Sequence, residues 1–198
     1  MQEHKGGPVF FNNETKFNDL PWDNPAAMIC EFEKRIRNLY LEPAEMLATQ
    51  IGAPFGGKAG LSFAVGLMCL CTIDALARFE YGGNGEERLK KWLKNYSSLN
   101  ELQREYLYTN FRCKLVHEGR ILAGCFVCEN FHDNEIMNVQ SLQNDKRYIK
   151  VSPITLLNCV REGFGKYLQH IRQNTEEAEA LLKHLKEDFK TERLLPQF

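Results

Sequence analysis

The sequence has no excess of charge of either sign: 25 basic residues stand against 26 acidic ones, a formal net charge of −1. With no global positive field, long-range capture of nucleic acid is excluded, and such a partner would need a local basic patch. The opening MQEHKGGPVFFNN contains neither an apolar leader core nor a small-residue cleavage site, which argues against a signal peptide. No uncharged run reaches the roughly 20 residues that a membrane-spanning helix needs. The longest, AGLSFAVGLMCLCTI at 59–73, is followed at once by Asp74 and Arg78, so it is expected to be a buried core helix and the protein to have no membrane partner. A disulfide framework is also missing. Seven cysteines, odd in number and irregularly spaced, suit reduced thiols in a cytoplasmic protein. Internal repeats are absent. What remains is 198 residues, 43 % hydrophobic and 26 % charged, enough for one ordinary globular domain and cramped for two.

Residues 1–22 are polar with Gly, Pro and a few aromatics and have no sustained period, which predicts an extended arm. Asn24-Pro25 has the form of an N-cap followed by a first-turn proline. Met28, Ile29, Phe32, Ile36, Leu39 and Tyr40 then recur at helical spacing, an amphipathic first helix. Pro43 is expected to interrupt it, with a short second piece through Met46 and Leu47. GAPFGGKAG at 52–60 predicts a loop, residues 59–80 the most buried helix, and the glycines at 82, 83 and 85 a stop. EERLKKWLKNY reads as a short basic helix. Ser98 or Asn100 would cap the next one, with Leu102, Tyr106, Phe111 and Leu115 among its apolar positions.

From Ile121 the pattern changes to short strands, ILAGCFVC, EIMNVQ and RYIKVS, the last two flanking a polar SLQNDK turn. Ser152-Pro153 opens another helix, and TEEAEALLKHLKEDFK a charged amphipathic one with Leu181, Leu182, Leu185 and Phe189 on one face. The expected fold is mainly α: a helical bundle with a small β-hairpin insertion near 121–151. Its expected divisions are the arm at 1–22, the helical domain at 23–173 and a C-terminal helix and tail at 174–198.

Three constellations carry weak chemistry. Gly52, Gly57 and Lys58 match the spacing of a phosphate-binding loop, but Ala59 stands where Ser or Thr must hold magnesium and no buried strand precedes it. A nucleotide triphosphatase is rejected. Cys125, Cys128 and His132 have a zinc-like spacing, but a structural site needs four ligands and no second pair is suitably placed. Buried thiols are favoured and no metal is expected. In the basic helix, positions 87, 90, 91 and 94 share one face, so Lys90, Lys91 and Lys94 project together near Arg88 and Trp92. Such a group suits a phosphate backbone with a stacked base. Taken alone, it is better explained as a solvated face with Leu89, Trp92 and Leu93 turned inward.

The remaining stretch is YTNFRCKLVHEGR at 108–120, in which Arg112 and His117 lie five positions apart, with Lys114, Glu118 and Arg120 nearby. On a regular helix such positions are about 140° apart and share no narrow face. With eleven arginines and five histidines in the chain, spacing alone favours a surface Arg and a helix-terminal His interacting with the helix dipole.

Taken together, the tyrosine-rich helix entering F-R-C-K-L-V-H-E-G and the long apolar helix ending I-D-A-L-A-R-F resemble the HEPN superfamily across residues 25–173. Those proteins are small α-helical bundles, and many are metal-independent ribonucleases marked by R-x(4–6)-H. The resemblance implies an endoribonuclease with Arg112 and His117 as the catalytic pair, without a cofactor. Lys114, Glu118 and Asp74 would support the pair, and Lys90, Lys91, Lys94 and Arg120 would contact RNA. It also implies a homodimer and, for several members, a toxin–antitoxin or anti-phage defence system with a protein antitoxin. The chemistry matches the residue types. His can take the proton of a ribose 2′-OH near neutral pH, and Arg offers a permanently charged fork to the phosphate in the transition state. Asp74 has two explanations of equal weight: it orients Arg112 or His117, or it is a helix-end carboxylate paired with Arg78. One position departs from the family. Cys113 stands where a polar residue is common, and members that have lost activity serve as binding or dimerisation modules for a protein or nucleotide partner. That is the alternative reading.

Overall fold

A computed structural model describes residues 10–51, 58–83, 85–114, 120, 121, 123–127, 135–141 and 147–190, with the backbone alone at 58 and 59. The chain is mainly helical with a small three-stranded sheet. Helix α1, Pro25–Ile36, starts where the sequence indicates: the Asn24 side chain accepts from the Ala27 N–H at 3.1 Å and Pro25 occupies the first turn. Pro43 does not interrupt the helical path. Residues Arg37–Leu41 widen into a turn in which the Glu42 N–H bonds back to the Arg37 carbonyl, and α2, Glu42–Ile51, continues from it. The wide turn admits a residue that lacks an N–H near the start of α2 without ending the helix.

Helix α3, Lys58–Tyr81, packs against α2, against α4 (Glu86–Tyr96), and against the two C-terminal helices α6 (Pro153–Gln173) and α7 (Thr175–Asp188). Residues 58–60, expected in a loop, already belong to α3; the rest of that loop lies outside the described residues. By length and composition Gly60–Tyr81 could cross a membrane, but half of its most apolar window is buried against the other helices. The helix stops at Gly82 and Gly83, whose φ angles of 63° and 60° suit glycine and few other residues.

Asn100, one of the two residues expected to cap, opens α5 (Glu101–Tyr106) through a reciprocal capping box with Gln103. A second wide turn, Leu107–Cys113, follows directly. It changes the helical phase: Leu107 and Phe111 are buried, whereas Leu102, expected on the apolar face, is exposed.

The hairpin expected near 135–151 is present, with β2 (Met137–Ser141) antiparallel to β3 (Arg147–Val151). Strand β1, Gly124–Phe126, joins the other side of β3 in parallel, giving the order β1-β3-β2. Phe126 carries the sheet onto the bundle. Its ring lies 5.1 Å from that of Phe111, and a Cβ built on Gly66 of α3 would stand 2.3 Å from it.

The N-terminal segment is not an extended arm over its described part. Residues 10–20 form a compact turn closed by a Phe10–Lys16 bridge, with Phe11, Phe17 and Leu20 buried. Asn12 and Thr15 donate to the Glu31 carboxylate at 2.8 and 2.6 Å, which ties the turn to α1.

Candidate functional site

A carboxylate in the middle of an apolar helix needs partners, because a buried charge left alone is costly. Asp74 has two. Its Oδ2 accepts from Arg112 Nη2 at 2.9 Å, and its Oδ1 accepts from Arg88 Nη2 at 3.2 Å. Arg88 also donates to the Gly83 carbonyl, at the turn that ends α3. The side chains of Arg88, Arg112 and Asp74 are 9 %, 18 % and 25 % exposed, so Arg88 is the buried anchor and the other two face partly outward. Of the two partners weighed for Asp74, Arg112 takes it; Arg78 pairs instead with Asp188 of α7 at 2.6 Å.

The wide turn at Leu107–Cys113 directs Arg112. Phe111 is anchored in the core under Phe126, and the next residue emerges against α3. Turns of this kind recur at functional sites. The pair perturbs its surroundings. Burial raises the pKa of the Tyr108 phenol, with Cys113 adding and Arg112 opposing. Burial likewise raises that of the Cys71 thiol, with the Asp74 carboxylate adding and Arg112 opposing. Both groups stay protonated at neutral pH.

Beside the pair lies a cavity of about 360 Å³, whose lining includes Arg35, Tyr40, Asp74, Arg78, Arg112 and Asp188. Arg35 is fixed at its wall, donating to the Phe11 carbonyl with its guanidinium 4.9 and 4.7 Å from the Phe11 and Phe189 ring centroids.

The other residues singled out from the sequence are scattered. His117 and Glu118 lie outside the described residues, as do Cys128 and His132. Lys114 is half-buried and Arg120 exposed. In α4, Leu89, Trp92 and Leu93 are buried, as the solvated-face explanation requires. Lys90 is bound by Glu86 and Glu105. Desolvation pulls its pKa down, and the hydrogen bonds to those two carboxylates more than reverse this. The Lys91 ammonium sits 4.1 Å over the Tyr81 ring, and Lys94 is exposed. Cys125 is half-buried, and among the described residues no group of three metal-ligating side chains is assembled.

Arg88 is the site residue that the sequence did not single out. A signal was available: it lies four positions before Trp92 and so shares its inward face. A buried arginine needs an acid, and Asp74 is the one acidic residue within the apolar run of α3. Searches among protein-family models, curated proteins and solved structures find no match to the chain.

Proposed function

We propose that the protein is a metal-independent endoribonuclease of the HEPN type, a helical bundle whose catalytic pair is Arg112 and His117. The observation that carries this is the seating of Arg112: it emerges from a wide helical turn, is aimed by Asp74 and borders an open cavity. In this reading His117 takes the proton from the ribose 2′-OH, which attacks the adjacent phosphorus. Arg112 meets the charge that develops on the non-bridging oxygens. Asp74 fixes the guanidinium plane, and Arg88 holds Asp74 from behind. Lys94 and Arg120 extend cationic contact along the strand. The products are a 2′,3′-cyclic phosphate and a 5′-hydroxyl. A homodimer, a cytoplasmic location and a toxin–antitoxin or defence setting belong to the same proposal.

A second reading, a catalytically silent HEPN-like binding or dimerisation module, is favoured by one feature: the charge of Arg112 is already engaged by Asp74, beside a cysteine at 113.

Incubation of the purified protein with single-stranded RNA and a chelator decides between them. Cleavage leaving cyclic phosphate or 3′-phosphate ends is expected, falling by about 10² to 10⁴ in His117→Ala and comparably in Arg112→Ala. Cleavage that persists in His117→Ala, or none in the wild type, rejects the nuclease.

A further inference from the structure

The cavity beside Asp74 contains a second arginine that the catalytic reading does not use. Asp74 and Arg78 are four residues apart on α3 and therefore share a face, separated by about 6 Å along the helix axis. Arg112 is docked on Asp74, so the Arg112 and Arg78 guanidiniums border one cavity about a helical turn apart. That is close to the separation of successive phosphates in an extended single strand. The lining includes three arginines against two aspartates, Asp74 and Asp188. Arg35 is held in place by Phe11 and Phe189 and contributes field rather than contact. Tyr40 adds an aromatic wall, a surface on which a base can stack.

The two aspartates are not equivalent. Asp74 is gripped by two arginines, one of them buried, and stays where it is. Asp188 holds only Arg78, whose side chain is 53 % exposed. An ion pair this open contributes little, and its cation can exchange one anion for another at small cost. A phosphate offers the same planar fork two oxygens and a full charge.

From this geometry we infer that the cavity binds two consecutive phosphates of a single-stranded nucleic acid, one on Arg112 and one on Arg78, and that Asp188 is a resident competitor for Arg78. The identity of the natural ligand as RNA rests on the ribonuclease reading; the two-phosphate site does not. Asp188 thus lowers affinity in the resting protein and makes binding depend on a polyanion long enough to reach both arginines.

The test uses a labelled six-nucleotide oligothymidylate, a DNA strand with no 2′-OH and so immune to the proposed cleavage. Its binding is followed by fluorescence anisotropy over a range of salt concentrations. Asp188→Asn is expected to bind about five- to tenfold more tightly at low salt, with a salt slope steeper by about 0.7, the value for one added phosphate contact on a single strand. Arg78→Gln should weaken binding and flatten the slope by the same amount, with Arg78→Lys between. In the Arg78→Gln background, Asp188→Asn should gain almost nothing. Thermal melts of each variant verify the fold.

Equal affinity of Asp188→Asn and wild type overturns the proposal, as does a gain of undiminished size without Arg78, or no binding by either protein. RNA cleavage by the wild type read alongside separates the two ideas. Cleavage with an indifferent Asp188→Asn removes the two-phosphate site alone. Tighter binding without cleavage leaves the site and removes the nuclease.

Discussion

Asp74 and Arg112, 38 residues apart in the chain, meet at 2.9 Å with Arg88 closing the same carboxylate from the opposite oxygen. The three charges are unequal in cost when one is removed. Asp74→Ala leaves a buried Arg88 without its carboxylate and should destabilise the protein by about 3 kcal/mol, the lower end for a broken buried pair because the carboxylate is partly exposed. Arg112→Ala leaves Asp74 with Arg88 and should cost about 1 kcal/mol. Urea denaturation of the two variants gives the order directly, and equal losses would contradict it.

Glu80 sets a pH dependence of the opposite sign to the usual carboxylate. Burial raises its pKa above the ordinary 4.5, against the opposing hydrogen bonds from Tyr81 and Tyr96. Glu177 on α7 adds to the rise and His170 on α6 opposes it. The folded protein therefore binds the Glu80 proton more tightly than the unfolded chain does. This contribution favours folding at low pH and is lost as pH rises through the folded pKa. Glu80→Gln should raise Tm by about 2 °C at neutral pH, and the gain should vanish below pH 4.5. A gain that is constant with pH would assign the effect to packing.

Gly66 leaves room for the Phe126 ring, which a Cβ would overlap at 2.3 Å. Gly66→Ala should cost about 1 to 3 kcal/mol, as overpacking does. Phe126 leans on Phe111, the neighbour of Arg112, so on the proposed function the variant should also slow RNA cleavage. Adding Phe126→Leu should recover part of the stability. No recovery would show that the strain lies elsewhere.

If the thiols and imidazole at 125, 128 and 132 hold no metal, chelation leaves the thermal melt unchanged. A structural zinc would instead contribute folding energy outright, and its removal would melt the domain.

Local signals in the sequence were the easiest to read. The Asn24 and Ser152 caps with their prolines, the glycine stop after α3 and the β2–β3 hairpin are each specified by a few neighbouring residues. The two wide turns were not legible. Nothing in R-N-L-Y-L or L-Y-T-N-F-R-C marks an extra residue per turn, so Pro43 looked like a breaker and Leu102 like a core position. At the site, Asp74 was visible as an acid in an apolar helix, but its choice of Arg112 and Arg88 over Arg78 depends on tertiary packing. Helical spacing alone pointed to the i, i+4 neighbour.

Arg35 lies between Phe11 and Phe189, and Phe17 and Phe79 complete the aromatic cluster around Phe189. During synthesis this cluster cannot close until residue 189 has left the ribosome, although Phe11 emerges among the first. The cavity wall at Arg35 and Asp188 is therefore the last part of the molecule to be completed. A nascent chain stalled short of α7 would carry Arg112 and Arg78 with no Asp188 to occupy either.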